Sequence, residues 1–234
     1  MRLGSRLLQC ARLVRPGTRA ADVGTDHAYL PIWLVQEGRC PFVVATDIHT
    51  GPAERAAVSI AEAGLTDRID VRIGDGLEPV SPGEVDDVVV AGMGGEPIAD
   101  ILRAAPWLRD DRIRLVLQPM SKAELLRRFL LDSGYALFQE RAVRDGGRLY
   151  TVMAAGYAPN QADEQQEIPG VLYGGLLDPS DPDASDYLFR QRRRLLAEAS
   201  ARRAVDPGRA DALEFAARSL ERACGPIGRT DHPQ

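Results

Sequence analysis

The chain has 234 residues, of which 44% are hydrophobic and 27% are charged, with a formal net charge of −5. This composition is typical of a globular α/β domain with a small appendage, and the net negative charge by itself argues against a nucleic-acid-binding protein. The longest apolar runs, such as VVVAGM, are shorter than the roughly 20 residues of a membrane helix. Three widely spaced cysteines favour a reducing cytoplasm over a disulfide framework or a metal site.

Apolar periodicity predicts an alternation of helices and strands in the first part of the chain. The arginine-containing segment 2–14 is expected to form a helix of the folded domain and not a signal peptide. Strands are predicted over 19–23, 42–47, 69–73, 86–91 and 114–117, and helices over 27–37, 52–63, 96–104 and 121–133. Ser121 and Glu124 match a capping box at the start of the last helix. This alternation predicts a doubly wound parallel sheet with helices on both faces.

A hairpin and a helical tail are expected to follow. Strands 135–143 and 149–155, joined through Asp145-Gly146-Gly147, predict an antiparallel pair at one sheet edge. The polar stretch APNQADEQQEIPG predicts an exposed linker. Apolar residues at helical spacing predict helices 187–203 and 209–223, joined by VDPG into an αα-hairpin; they are Leu188, Leu195, Leu196, Ala199, Leu213, Ala217 and Leu220. The chain therefore divides into a sheet domain at 1–160 and a linker with a helical hairpin at 161–234.

Polar residues and glycines follow all five parallel strands. They are Gly24, Thr25, Asp26 and His27, then Asp47 and His49, then Asp75 and Gly76, then Gly92, Met93, Gly94 and Gly95, and finally Gln118 and Pro119. Because open parallel sheets bind ligands beyond the carboxyl ends of their strands, these residues are expected to form one site.

The chemistry of these residues favours a nucleoside ligand that carries an amino group. Gly24 lets the backbone approach a ligand closely, Asp47 suits two ribose hydroxyls, and Asp75 suits an adenine amino group. A dinucleotide is disfavoured because G-x-G-x-x-G is missing and Asp26 would repel a pyrophosphate. S-adenosylmethionine, with its sulfonium and free amine, fits an acid at this position.

Simpler structural explanations stay open for single residues. Asp26 and Asp75 are compatible with helix caps or turns, His27 with a cap or a core position, Tyr29 with the core, and GMGG with a tight turn. The recurrence of such residues at consecutive strand ends favours a site. The stretch RQRRRLLAEASARR, with six arginines and one acid, is compatible with a solvated helix face or with a phosphate-contacting stripe.

The segments ADVGTDHAYLP, GDGL, VAGMGG and LVLQP, in this order and spacing, resemble the bacterial tRNA (adenine-22-N1)-methyltransferase family. The segments SRL at 5–7 and GGRLYTV at 146–152 are also similar. The resemblance implies a Rossmann-like class I methyltransferase fold that binds S-adenosyl-L-methionine, followed by a coiled-coil-like helical hairpin. It also implies methyl transfer to N1 of an adenine in the D-arm region of tRNA.

The resemblance further implies a place for each motif residue around the cofactor. Asp22, Gly24, Thr25, Asp26 and His27 line its methionine end, Asp47 and Ile48 flank the ribose, Asp75 and Gly76 the adenine, and Ala91, Gly92, Met93 and Gly94 lie between cofactor and target base. Two residues depart from the family pattern. Met120 stands where an asparagine is expected, and Asp47 stands where some relatives have glutamate.

The implied reaction is an in-line displacement in which adenine N1 attacks the sulfonium methyl group, so the protein mainly supplies positioning. Asp26 is predicted to stabilise the positive charge of the product or to orient the base, with His27 or Tyr29 as second candidates. The predicted tRNA contacts are Arg6, Gln118, Pro119, Arg190, Arg192, Arg193 and Arg194. A monomer or weak dimer is expected, without a metal or a membrane partner.

Three other functions differ from a tRNA methyltransferase in what they require of the sequence. A small-molecule methyltransferase would use the same cofactor site and leave the arginine stripe as solvated surface. A non-enzymatic RNA- or protein-binding module would bind no cofactor. A nicotinamide-dependent oxidoreductase is disfavoured because the chain lacks G-x-G-x-x-G.

Overall fold

The computed structural model describes residues 2–224, so the last part of the predicted 161–234 unit lies outside the described residues. The helices are α1 (Ser5–Leu13), α2 (Tyr29–Gln36), α3 (Thr50–Glu62), α4 (Gly95–Ala104), α5 (Ala123–Asp132), α6 (Pro159–Gln166), α7 (Val171–Gly174), α8 (Pro182–Arg202) and α9 (Pro207–Cys224). The strands are β1 (Ala20–Val23), β2 (Val43–Asp47), β3 (Ile69–Ile73), β4 (Asp87–Gly94), β5 (Arg114–Ser121), β6 (Tyr135–Asp145) and β7 (Arg148–Tyr157). A 3-10 turn, Pro106–Leu108, follows α4.

The seven strands form one sheet in the order β3-β2-β1-β4-β5-β7-β6. The first five strands of this order are parallel, whereas β7 runs antiparallel to both β5 and β6. The predicted doubly wound sheet with a terminal hairpin is confirmed. Chain order reverses between β1 and β4, and the crevice at such a point is where open α/β sheets bind their ligands.

Helices cover both faces of the sheet. Strand β4 is therefore buried on both sides, and its sequence is almost continuously apolar. Val88 and Val90 face a core that contains Ile98 of α4, while Val89 faces a core that contains Ile60 of α3. Because successive side chains of a strand point to opposite faces of the sheet, β4 needs apolar residues on both faces.

The predicted capping box at Ser121 and Glu124 is wrong. Strand β5 continues past Pro119, so Ser121 ends the strand and pairs with Gly94. Lys122 is the N-cap of α5, with φ of 55° and without a capping hydrogen bond from its side chain. Glu124 instead accepts a hydrogen bond from Arg194 Nη1 at 3.0 Å.

The predicted linker at 158–170 is mostly exposed, as expected, but it contains a helix. Residues 159–166 form α6, in which Ala162 and Gln165 are buried. The Gln165 side chain accepts a hydrogen bond from the Leu137 N–H and donates one to the Leu137 carbonyl, both at 2.8 Å. Helix α6 thus satisfies backbone groups of β6, the edge strand, at the irregularity between Leu137 and Gln139.

A buried ion pair connects α5, β6 and the segment that contains α7. Arg127 Nη2 lies 2.5 Å from Glu140 Oε1, and both side chains are fully buried. Arg127 Nη1 also donates to the Leu172 carbonyl at 2.9 Å, and the Leu176 N–H donates to Glu140 Oε2 at 3.1 Å. The pair therefore fixes the segment that leads from α6 to α8.

Helices α8 and α9 pack against each other, and α8 also packs against the β6–β7 hairpin. Helix α8 begins at Pro182, earlier than predicted, because Asp181 accepts hydrogen bonds from the Asp183 and Ala184 N–H groups. The buried cluster between the helices includes Leu195 and Leu213 and contacts Leu149 of β7. The prediction for Leu196 is wrong: this side chain is 37% exposed, because adjacent helical residues point in different directions.

Candidate active site

A cavity of about 850 Å³ opens at the carboxyl ends of β1, β2 and β4. Its volume lies in the range of small-molecule sites. The predicted cofactor residues in its wall are Gly24, Asp47, Ile48, Asp75, Gly76, Ala91, Gly92 and Met93. Residues distant in sequence therefore meet at the crevice between β1 and β4, as the strand-end pattern predicts.

The turn after β1 requires glycine at position 24. The N–H groups of Gly24 and Thr25 both donate to the Thr46 carbonyl, at 2.8 and 3.0 Å. Gly24 has φ of +79°, and a Cβ atom there would lie 2.2 Å from Met93 Cε. Any larger residue would be strained and would displace Met93, so this turn brings bare backbone to the cavity.

Asp22 and Thr25 support the Gly24 turn from the protein interior. Both residues are buried, and neither is among the residues of the cavity wall. Burial raises the pKa of the Asp22 carboxyl to about 6, although a hydrogen bond from Thr25 acts in the opposite direction. The structure thus places these two predicted cofactor residues behind the turn.

Two acids and a threonine shape the wall at β2 and β3. Asp47 Oδ1 accepts a hydrogen bond from the His49 N–H at 2.8 Å, which orients the carboxylate. The buried Thr46 hydroxyl donates to the Gly76 carbonyl at 2.9 Å and so connects β2 to the loop of Asp75. Both predicted acids line the cavity, and carboxylates suit the hydroxyl and amino groups of a nucleoside.

Asp26, His27 and Tyr29 are not among the residues that line this cavity, and His27 instead lines a second pocket with Arg55 of α3. Asp26 Oδ1 accepts hydrogen bonds from Arg55 Nε, at 3.0 Å, and from Arg55 Nη2. The Arg55 hydrogen bond lowers the pKa of the Asp26 carboxyl and keeps it ionised. His27 Nε2 lies 3.5 Å from Asp26 Oδ2.

The rings of His27 and Tyr29 form a stacked pair, with centroids 5.1 Å apart and planes inclined by 11°. Tyr29 is 46% exposed, so it is not a core residue. Ala28, with φ of 53°, is the N-cap of α2, and no side chain caps it. The structure therefore shows neither Asp26 nor His27 in the capping role that the sequence left open.

Arg6, Gln118 and Gly92 form one hydrogen-bonded group. Gln118 Oε1 accepts from Arg6 Nη1 at 2.5 Å and from the Gly92 N–H at 3.1 Å. Gln118 and Pro119, two of the predicted tRNA contacts, are both buried. Gly94, which was predicted near the cofactor, pairs with Ser121 and is not in the cavity wall.

Most of the predicted phosphate contacts on α8 have acidic neighbours. Arg190 pairs with Asp186 at 3.2 Å, Arg192 with Glu221 at 2.9 Å and Arg194 with Glu124 at 3.0 Å. Arg193 instead lies over the Phe189 ring, 5.9 Å from its centroid. The stripe is thus less cationic than its sequence suggests.

Strand-end reasoning missed residues that other elements contribute. Ile101 of α4 and Trp107 of the 3-10 turn line the cavity, and Arg55 of α3 orients Asp26. They escape the pattern because they belong to helices and turns that fold over the crevice. No feature of the local sequence distinguishes them from core or surface residues.

Between residues 2 and 224, no group of three or more His, Cys, Asp or Glu side chains is arranged to hold a metal ion. Within the same described part of the chain, no helix is both long enough and apolar enough to cross a membrane.

Comparison with known proteins identifies relatives over most of the chain. Residues 3–153 match the family described as "Methyltransferase domain". The chain is 38% identical over 179 residues to the tRNA (adenine(22)-N(1))-methyltransferase of Bacillus subtilis (strain 168), which covers 76% of this chain and 75% of the relative.

Solved structures agree with this relationship. The B. subtilis M1A22 tRNA methyltransferase TrmK is 29% identical, with a TM-score of 0.84 over 96% of this chain and 99% of that one. A Streptococcus pneumoniae protein solved in complex with S-adenosyl-L-methionine is 27% identical, with a TM-score of 0.78 over 92% of this chain and 98% of that one. The family match and the B. subtilis relative, together with the fold, show that the chain belongs to the tRNA (adenine(22)-N(1))-methyltransferase family of methyltransferase-domain proteins.

Proposed function

We propose that this protein transfers a methyl group from S-adenosyl-L-methionine to N1 of adenine 22 in tRNA. The observation that carries the proposal is the cavity at the β1–β4 crevice, in which Asp47 and Asp75 stand on the ends of neighbouring strands. The names of the B. subtilis relatives support the substrate and the target atom.

The residues present fit the cofactor. Gly24 leaves room for close approach at β1, Asp47 is oriented to accept ribose hydroxyls, and Asp75 is placed to accept from the adenine amino group. When bound, the cofactor supplies an electrophilic methyl group on a sulfonium. Asp47, although shorter than a glutamate, accepts from the ribose hydroxyls in this proposal.

Asp26, His27 and Tyr29 act on the target base in this proposal. The stacked His27 and Tyr29 rings offer an exposed aromatic surface on which an extruded base can stack. Asp26, which accepts hydrogen bonds from Arg55, stabilises the positive charge of N1-methyladenine or orients the base. Because N1 has its own lone pair, these groups contribute through orientation and electrostatics.

The two predicted units take different parts of the task. Residues 1–160 hold the cofactor and the base, and the helical segment within 161–234 contacts the tRNA backbone through α8. The protein acts in the cytoplasm as a monomer or weak dimer. Arg193 is the strongest candidate on α8 for a phosphate contact, because its guanidinium lies over the Phe189 ring, whereas the other three arginines pair with acids.

The test combines cofactor binding with a transcript assay. Calorimetry is expected to give micromolar binding of S-adenosyl-L-methionine to the wild type and at least a tenfold loss in Asp47→Ala. Asp67→Ala, which removes an exposed acid near the opposite end of β3, is the matched control and should bind normally.

Unmodified tRNA with adenine at position 22 is then incubated with cofactor and analysed for N1-methyladenosine by mass spectrometry. A transcript with guanine at that position should stay unmethylated. Cofactor binding without methylation of either transcript would favour a methyltransferase with a small-molecule substrate, and absence of cofactor binding would favour the binding-module alternative.

A further inference from the structure

Gly92 lies at an interruption of the β4–β5 ladder. The register pairs Ala91 with Gln118 and Met93 with Pro119, and the shift between these pairs leaves Gly92 without a paired residue on β5. Its φ is +84°, and it lies in the wall of the cavity. A backbone N–H outside the ladder needs another acceptor to keep a fixed direction.

The Gln118 side chain supplies that acceptor. Its Oε1 accepts from the Gly92 N–H at 3.1 Å, and its Nε2 donates to the Pro119 carbonyl at 2.9 Å. Because both ends of the amide have partners and the side chain is fully buried, its orientation is fixed. Gln118 thus replaces the missing ladder hydrogen bond with a side-chain contact.

Arg6 completes the group from the N-terminal helix. Its Nη1 donates to the same Gln118 oxygen at 2.5 Å, and its Nε lies 3.5 Å from Asp145 Oδ2. The guanidinium carbon lies 5.8 Å from the centroid of the Tyr150 ring. The side chain is 21% exposed and is therefore held between the β6–β7 hairpin and the end of β5, unlike a free phosphate-binding arginine.

We infer that Arg6 is a positioning residue, which acts through Gln118 to hold the Gly92 segment in the shape that the methylation of tRNA requires. This inference rests on the proposed function. The Arg6 Nη1 atom lies 3.6 Å from the place of a Cβ atom on Gly92, so arginine and backbone border the same opening. Without Arg6, Gln118 keeps only its hydrogen bonds to Gly92 and Pro119, so the position of the amide oxygen that accepts from Gly92 is less tightly held.

A positioning role and a phosphate contact predict different kinetics. Loss of positioning lowers kcat at saturating tRNA and cofactor, by about tenfold to a hundredfold, because small displacements of reacting groups are costly. Loss of a phosphate contact raises KM for tRNA and lowers the slope of log K against log salt by about one, with kcat maintained.

The experiment compares Arg6→Met and Arg6→Lys with Arg12→Met, which removes the same charge from an exposed position on the same helix. For each protein, kcat, KM for tRNA, the salt dependence of tRNA binding and the calorimetric Kd for S-adenosyl-L-methionine are measured. The Gly92 amide resonance is followed in ¹⁵N-labelled protein without ligands, since it reports the hydrogen bond to Gln118 independently of activity.

We expect Arg6→Met to shift the Gly92 resonance and to lower kcat. The Kd for S-adenosyl-L-methionine should stay within about twofold of wild type, and the salt slope of tRNA binding within about 0.3. Arg6→Lys should recover part of kcat, because lysine donates to Gln118 without the planar fork, and Arg12→Met should match wild type. An unmoved Gly92 resonance, or a reduced salt slope with normal kcat, overturns the inference. A wild-type protein that binds cofactor but methylates no tRNA would refute the proposed function. The Gly92 amide resonance of Arg6→Met would still test the contact of Arg6 with Gln118, because it does not depend on activity.

Discussion

The crevice of the sheet and the C-terminal helices use charge in different ways. In the crevice, Asp47 is oriented by a backbone N–H and faces a cavity. On α8, arginines that look like a cationic stripe in the sequence pair with acids, as Arg192 does with Glu221. Asp47 and Asp75 thus line the cavity, whereas Arg190, Arg192 and Arg194 have acidic partners within the fold.

Arg127→Met should lower the free energy of unfolding by about 3–5 kcal/mol, since it leaves Glu140 buried without its partner. Urea denaturation measures the change. The double variant Arg127→Met/Glu140→Leu is the control and should recover part of the loss, because it removes both buried charges but leaves the Leu172 carbonyl and the Leu176 N–H without their partners. A single variant as stable as wild type would show that this pair does not hold the α7 segment to the sheet domain.

Asp22→Asn should flatten the pH dependence of stability. Burial raises the pKa of Asp22 from 3.8 to about 6, so the native state binds this proton more strongly than the unfolded state. The wild-type free energy of unfolding therefore falls as pH rises from about 4 to 6 and stays reduced above that range. The variant lacks this loss, which amounts to about 3 kcal/mol at most.

Urea denaturation of wild type and Asp22→Asn at several values between pH 4.5 and pH 8 checks this prediction. The difference in stability should grow with pH in favour of the variant and become constant above about pH 6. Parallel curves for the two proteins would contradict a buried carboxyl beneath the Gly24 turn.

Gly24→Ala should weaken S-adenosyl-L-methionine binding at least tenfold, or about 1.4 kcal/mol. The new Cβ atom meets Met93 in the cavity wall. Gly17→Ala is a matched control, because Gly17 has φ of +80° with no atom within 4 Å of its Cβ position. Calorimetry should show normal affinity for the control, and equal losses in both variants would point to backbone strain alone.

Arg194→Met should change stability by no more than about 1 kcal/mol, because its pair with Glu124 is partly exposed. In tRNA binding, Arg193→Met should lower the salt slope by about one, and Arg194→Met by less, since Glu124 already partners Arg194. Binding curves at salt concentrations from about 50 to 200 mM measure the salt slopes of both variants. Equal reductions would show that the Arg194–Glu124 pair opens on tRNA.

The order of the helices and strands, and the edge of the sheet at which the cavity opens, follow from the amino-acid sequence. Continuous apolar runs such as Val88–Val90 predicted buried parallel strands, and Gly24, Asp47 and Asp75 were found because strand ends meet at one edge of a parallel sheet. These inferences succeed because strand period and sheet topology are properties of local sequence and chain order.

Contacts between distant side chains could not be predicted from the sequence. The pairing of Arg55 with Asp26, of Gln165 with Leu137 and of Arg6 with Gln118 joins residues 28 or more positions apart. Burial decided that Gln118 faces inward and Leu196 outward, although both belong to sequence patterns that suggested otherwise. Such contacts depend on how helices lie across the sheet, and that geometry arises from packing, which no local pattern of residues encodes.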